Sequence, residues 1–64
     1  MKLRTILTLI PGSQIVSIIV DGAVLFDKWE AININSHLFQ KDLEYPVIRI
    51  ETEKENLKIY CVKD

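Results

Sequence analysis

Among the 64 residues of this chain, one histidine and one cysteine are the side chains best suited to do chemistry at neutral pH. His37 is the sole candidate for an acid or base there, and it stands beside Leu38-Phe39 with no second catalytic type at a recognisable spacing. A hydrolytic or transfer site needs several polar groups converging in a pocket. The expectation for His37 is therefore a surface or helix-start residue. Cys61 lies between Tyr60 and Val62 in an alternating run that places Leu57 and Ile59 on its own side, which suits a small buried hydrophobe better than a nucleophile. His37 and Cys61 are also the only soft metal ligands, and the carboxylates lack the spacing of a calcium loop. Gly12 and Gly22 stand alone in turns, so no glycine-rich phosphate loop exists. These residues predict a protein that is not an enzyme and that has no catalytic residue, metal or cofactor.

Binding chemistry is the remaining class. Lys2 and Arg4 give the first twenty residues a charge of +2 with no acid, whereas residues 21 to 64 hold nine acids against six bases. Two cations release few counterions from nucleic acid and bind it weakly at physiological salt. Trp29 and Tyr60 are of a type that stacks bases, but Glu30, Glu51 and Glu53 would surround them with repelling charge. Nucleic-acid or nucleotide binding through Lys2 and Arg4 is thus the second reading. The run Glu51-Thr52-Glu53-Lys54-Glu55 reads as a solvated hairpin end, because phosphate mimicry asks for denser charge than a net −1.

The elements that position these residues are constrained by size. At 7.4 kDa the chain is one domain, residues 1–64, with too little mass for a nucleotide-binding or barrel enzyme fold. A content of 48 % apolar and 27 % charged residues is globular. A body this small buries only about 60 % of its unfolded surface, and with one cysteine it has no internal disulfide to compensate. Ile, Val and Leu nevertheless number 22, more than a small interior absorbs. Oligomerisation is the remedy left. Met1-Lys2-Leu3-Arg4 followed by Ile6–Ile10 superficially suggests a signal peptide. However, the apolar stretch is five residues long and ends in Pro11-Gly12 without a small-x-small site, so a cytoplasmic protein with no membrane association is expected.

Along the chain, Leu3, Ile6, Leu7 and Ile10 fall at helical spacing with one apolar residue, Leu9, misplaced; a strand template misplaces two. A short helix ended by Pro11 is the better fit, with a strand as the alternative. Ile15–Val20 is a β-branched run ending at Asp21-Gly22, a type I′ hairpin signal, and the partner strand is expected over Val24–Ile32. Asn35 and Ser36 look like N-caps for one or two turns through Leu38-Phe39 and Gln40-Lys41-Asp42. Two further strands follow, Val47–Thr52 and Leu57–Val62, joined by the polar turn Glu53–Asn56. The expected fold class is α+β: a small, mainly antiparallel four-stranded sheet with a short N-terminal helix and one short connecting helix.

Such a helix covers one face of the sheet. Ile15–Val20 has apolar residues on both sides, and Val24–Ile32 divides Val24, Phe26 and Ile32 from Leu25, Trp29 and Ala31. The second face then carries an apolar patch that includes Trp29, with Tyr60, Val62 and either Leu25 or Ile19, unless the Asn33–Asp42 segment covers it. Leu25, Phe26, Trp29 and Tyr60 are the expected partner-binding residues, since aromatic anchors dominate interface energies. On a regular strand Phe26 and Trp29 cannot both face outward, so the register stays open.

In this order of elements, Ile6-Leu7-Thr8-Leu9-Ile10-Pro11, Asp21-Gly22, Val24-Leu25-Phe26-Asp27 and Val47-Ile48-Arg49-Ile50-Glu51 together resemble small proteins of phages and mobile elements in low-GC Gram-positive bacteria. Lys28-Trp29 departs from the pattern, which commonly has a turn-like glycine after the acidic residue. The resemblance implies a small protein directed at a host enzyme or defence system. The functional expectation is a non-catalytic binding or inhibitory protein, homodimeric through its apolar sheet face, with a host protein as partner. A structural subunit of a larger assembly is the third reading.

Overall fold

The computed structural model describes residues 1–38 and 41–63. Phe39 and Gln40, expected in the connecting helix, lie outside the described residues. The elements are α1 (Leu3–Leu9), β1 (Ile15–Val20), β2 (Ala23–Glu30), α2 (Ala31–His37), a 3₁₀ turn (Asp42–Glu44), β3 (Val47–Glu53) and β4 (Asn56–Cys61). The α+β architecture is present. The sheet, however, is mixed rather than mainly antiparallel. Its order is β2-β1-β4-β3, with antiparallel hairpins β1-β2 and β3-β4 joined by parallel pairing of β1 with β4. Burial accounts for this order. Val16, Ser17, Ile18 and Val20 of β1 and Asn56, Ile59 and Cys61 of β4 are buried, while β2 has one residue that is not exposed and β3 one. Pairing the two inner strands side by side puts the most apolar backbone at the centre and the most polar at the edges.

Helix α1 forms as its spacing predicts: Leu3, Ile6 and Leu7 are buried, and burial of each contributes about 1.5–3 kcal/mol. Leu9 is exposed. Pro11 stops the helix because the residue before a proline is pushed out of the α region, and Ile10 is extended at φ −100°, ψ 153°. Helix α2 begins at Ala31, four residues before the expected caps, and the expected strand Val24–Ile32 correspondingly ends at Glu30. The first amide groups of α2 are satisfied by tertiary contacts. Ala31 N–H donates to the Gln14 carbonyl at 2.9 Å and Ile32 N–H to the Gly12 carbonyl at 3.0 Å. No Ser, Thr, Asn or Asp side chain caps it, so the usual sequence mark of a helix start is missing.

Both helices cover the same sheet face. Their buried residues, including Leu3, Ile6, Leu7, Ala31 and Ile34, form one core with Val16, Ile18, Val20, Ile59 and Cys61. Ile34, and Leu38 packed against that core, add to this covered face. The Asp21-Gly22 turn has φ of 51° and 82°, the left-handed pair the hairpin demands.

Candidate partner-binding surface

The four residues expected to make contacts are divided by two irregularities in β2. Between Val16↔Trp29 and Ile18↔Phe26 the β2 strand carries one extra residue, and between Ile18↔Phe26 and Ile19↔Val24 another. The first bulge contains Lys28, at φ 59°. It turns Trp29 onto the side of Phe26, so the two rings meet edge-on at 5.1 Å between centroids. Both are on the helix-covered face, opposite Val16 and Ile18. The expectation that a strand keeps Phe26 and Trp29 apart fails for this reason, as does the placement of Trp29 and Tyr60 on one uncovered face. Trp29 also meets the His37 ring edge-on at 5.2 Å and remains 39 % exposed at the rim. His37 ends α2 rather than starting a helix, and its Nδ1 lies 2.8 Å from the Asn33 carbonyl, to which it donates when protonated there.

Leu25 occupies the second bulge, at the hairpin end, and is 46 % exposed beside the still more exposed Val24. Val24 and Leu25 border a shallow cleft of about 140 Å³ that Tyr45 and Lys63 complete. Tyr60 lies on the opposite face. Its hydroxyl donates to Glu51 Oε1 at 3.2 Å, and the Arg49 guanidinium sits 4.3 Å above its ring. Arg49 Nε in turn lies 3.3 Å from Glu51 Oε2. The uncovered face is thus a mixed surface, with Ile15, Ile19 and Tyr60 half-buried among Arg49, Glu51, Glu53 and Lys58.

One buried polar cluster underlies the first bulge. Ser17, the one polar residue of β1, is 3 % exposed. Its Oγ accepts the Lys28 N–H at 2.9 Å and lies 3.2 Å from Asn56 Oδ1 and 3.4 Å from Asp27 Oδ1. Asn56 Nδ2 has no hydrogen-bond partner among the described residues. A second cleft, of about 370 Å³, opens near Asn56 between the Pro11–Gln14 loop and the β3-β4 turn, with Ser13, Thr52 and Lys54 on its walls. Gln14 Nε2 spans it by donating to the Glu55 carbonyl at 2.7 Å. Neither cleft brings histidine or cysteine together with a carboxylate pair. Cys61 is buried, and burial pushes its thiol up to about 11. Among the described residues no cluster of three His, Cys, Asp or Glu is placed to hold a metal ion, and no helix is long and apolar enough to cross a membrane.

Lys2 and Arg4, the cations of the nucleic-acid reading, converge on a single carboxylate. Lys2 Nζ lies 2.9 Å from Glu44 Oε1 and Arg4 Nε 2.9 Å from Glu44 Oε2. These side-chain hydrogen bonds, first from Lys2 and then from Arg4, hold the Glu44 carboxyl below its usual range. The contact also offsets two cations at a helix N-terminus, where positive charge is unfavourable.

Sequence reasoning named Leu25 but missed other exposed apolar residues outside the aromatic set. Ile48 and Ile50, which alternation assigns to a buried face, are 65 % and 44 % exposed: β3 is an edge strand, and Ile48 is the extra residue of the register shift between Val47 and Arg49. Comparison with family models, curated proteins and solved structures finds no match to this chain.

Proposed function

We propose that the chain is a non-catalytic protein-binding protein that acts by covering a surface of a partner, with β2 as its contact edge. One observation carries this reading. In AVLFDKWE only Phe26 is other than exposed, so Val24, Leu25 and Trp29 spend a strand's apolar content on solvent. Apolar exposure along one strand of a small protein suits an interface, and Trp is a side chain often found at its energetic centre. The resemblance to small phage and mobile-element proteins supports a host enzyme or defence protein in the cytoplasm as the partner and inhibition as the outcome. Self-association into a homodimer belongs to the same reading, as the support a body of 64 residues gains from a second copy.

The test is a quantitative pull-down from host lysate with the wild type and with Leu25→Asp, followed by titration of each purified captured protein. Wild-type chain should hold its partner and depress that partner's activity, and Leu25→Asp should weaken binding by at least about tenfold. Equal capture of the same proteins by both forms defeats the reading.

A further inference from the structure

The two outer strands of the sheet differ as edges. β2 is interrupted by bulges at Lys28 and Leu25, a common way of spoiling an edge for pairing. β3 has one register shift against β4, between Val47 and Arg49, and runs in unbroken register from Arg49 to Glu53. The start of its outer edge is already occupied, because Leu3 N–H donates to the Tyr45 carbonyl and Val47 N–H donates to the Met1 carbonyl. The open stretch is therefore 48–52, with Ile48 in the register shift and 49–52 regular, and Ile50 is the midpoint of the whole.

Hairpin geometry fixes which backbone groups point outward. Glu53 and Asn56 are paired with only Lys54-Glu55 between them, and such a pair exchanges both N–H···O bonds. Alternation then makes Glu51↔Lys58 and Arg49↔Tyr60 bonded pairs as well. Ile50 and Thr52 consequently direct N–H and C=O away from β4, to the open edge.

We infer that β3 pairs antiparallel with β3 of a second copy about a dyad at Ile50, joining two four-stranded sheets into one of eight. Backbone phase allows dyads only on whole residues, and charge selects among them. A dyad on Arg49 opposes Arg49 to Arg49, one on Glu51 opposes Glu51 to Glu51, and one on Thr52 opposes Glu51 to Glu53. The dyad on Ile50 opposes Arg49 to Glu51 of the second copy, twice. Each Arg49 then lies between its own Glu51, 3.3 Å away, and the Glu51 across the dyad, closing a ring of four alternating charges. On the helix-covered side Ile50 meets Ile50, which covers a side chain left 44 % exposed in the single chain. The pairing uses the whole open stretch and ends where Met1 begins.

This inference rests on the self-association in the proposed function, and the experiment separates the two. Sedimentation velocity from about 5 to 500 μM should give wild type near twice 7.4 kDa. Each single variant opposes like charges at both contacts across the dyad, so Arg49→Glu and Glu51→Arg should each weaken the dimer at least about tenfold. An equimolar mixture of these two variants restores unlike charges at both contacts and should re-form a dimer, as should the double variant R49E/E51R alone. Ile50→Pro removes the outward N–H without touching a bond to β4 and should give a monomer with an unchanged far-UV circular dichroism spectrum. A wild-type monomer throughout overturns both self-association and this pairing. A wild-type dimer that both single charge variants retain overturns the pairing alone, as does a mixture that stays monomeric.

Discussion

Ser17 Oγ accepts the backbone N–H of Lys28 at 2.9 Å, so the one hydroxyl in an otherwise apolar strand holds the bulge that turns Trp29 toward Phe26. Ser17→Ala leaves that N–H without its acceptor in a partly buried setting, and an orphaned donor of this kind costs about 1–3 kcal/mol. Chemical denaturation should register a loss in that range. Trp29 emission should shift to the red as the strand relaxes, and a variant with wild-type stability and emission would remove the hydroxyl from this role.

The same strand shows what was legible in the sequence. IVSIIV with Asp21-Gly22 announces a hairpin because β-branched residues and positive-φ turns are local signals, and both are found where expected. The bulges in β2 were not legible, since no glycine marks Lys28, and it is a serine eleven residues earlier that supplies the compensating acceptor. Helix α2 was misplaced for a related reason. Its caps are the carbonyls of Gly12 and Gln14, while Asn35 and Ser36, which look like caps, lie inside it, with Ser36 Oγ bonding back to the Ile32 carbonyl at 3.1 Å. Parallel pairing of β1 with β4 depends on residues some forty apart, and no local pattern encodes it. Aromatic content singles out Trp29 and Phe26, but the face each occupies is set by that bulge.

Acid should loosen the N-terminal helix before the rest of the fold. Hydrogen bonds from Lys2 and Arg4 hold Glu44 below the ordinary carboxyl value of 4.5, so its folded pKa is depressed. A depressed carboxylate stabilises the fold above the unfolded pKa, and that contribution fades as pH falls through the folded value. Amide exchange at Leu3, whose N–H bonds the Tyr45 carbonyl at 2.9 Å, should therefore accelerate below about pH 4.5. Glu44→Gln should show faster exchange at neutral pH and little further change on acidification. An identical profile in both proteins would detach Glu44 from the docking of α1.

The thiol of Cys61 should be silent while the protein is folded. It is 2 % exposed, and burial raises its pKa from 9.0 to about 11. Thiolate is the attacking species, so a disulfide reagent at pH 8 should label native protein far more slowly than urea-unfolded protein. A raised pKa also means that the neutral form is favoured in the fold. Its contribution is complete below pH 9 and is lost as pH rises toward 11. Cys61→Ala should flatten that part of the stability profile.

Backbone strain at Lys28 offers a stabilising substitution. Its φ of 59° is in the left-handed region, which costs a residue with a β-carbon about 1–2 kcal/mol. Glycine removes that cost but gives up about 0.5–1 kcal/mol in unfolded-state entropy. Lys28→Gly should therefore raise stability by a few tenths to about 1 kcal/mol, or up to about 8 °C in Tm for a domain of this size. The bulge itself should survive, because Ser17 Oγ bonds the backbone N–H of residue 28 and asks nothing of its side chain. The reverse experiment is Gly22→Ala. At φ 82° an alanine is strained even though no atom lies within 4 Å of the added carbon, so about 1 kcal/mol should be lost from the turn alone. If Lys28→Gly lowered stability instead, the lysine side chain would have to be contributing more than the strain it imposes, through packing over the Ser17 cluster that covers the bulge.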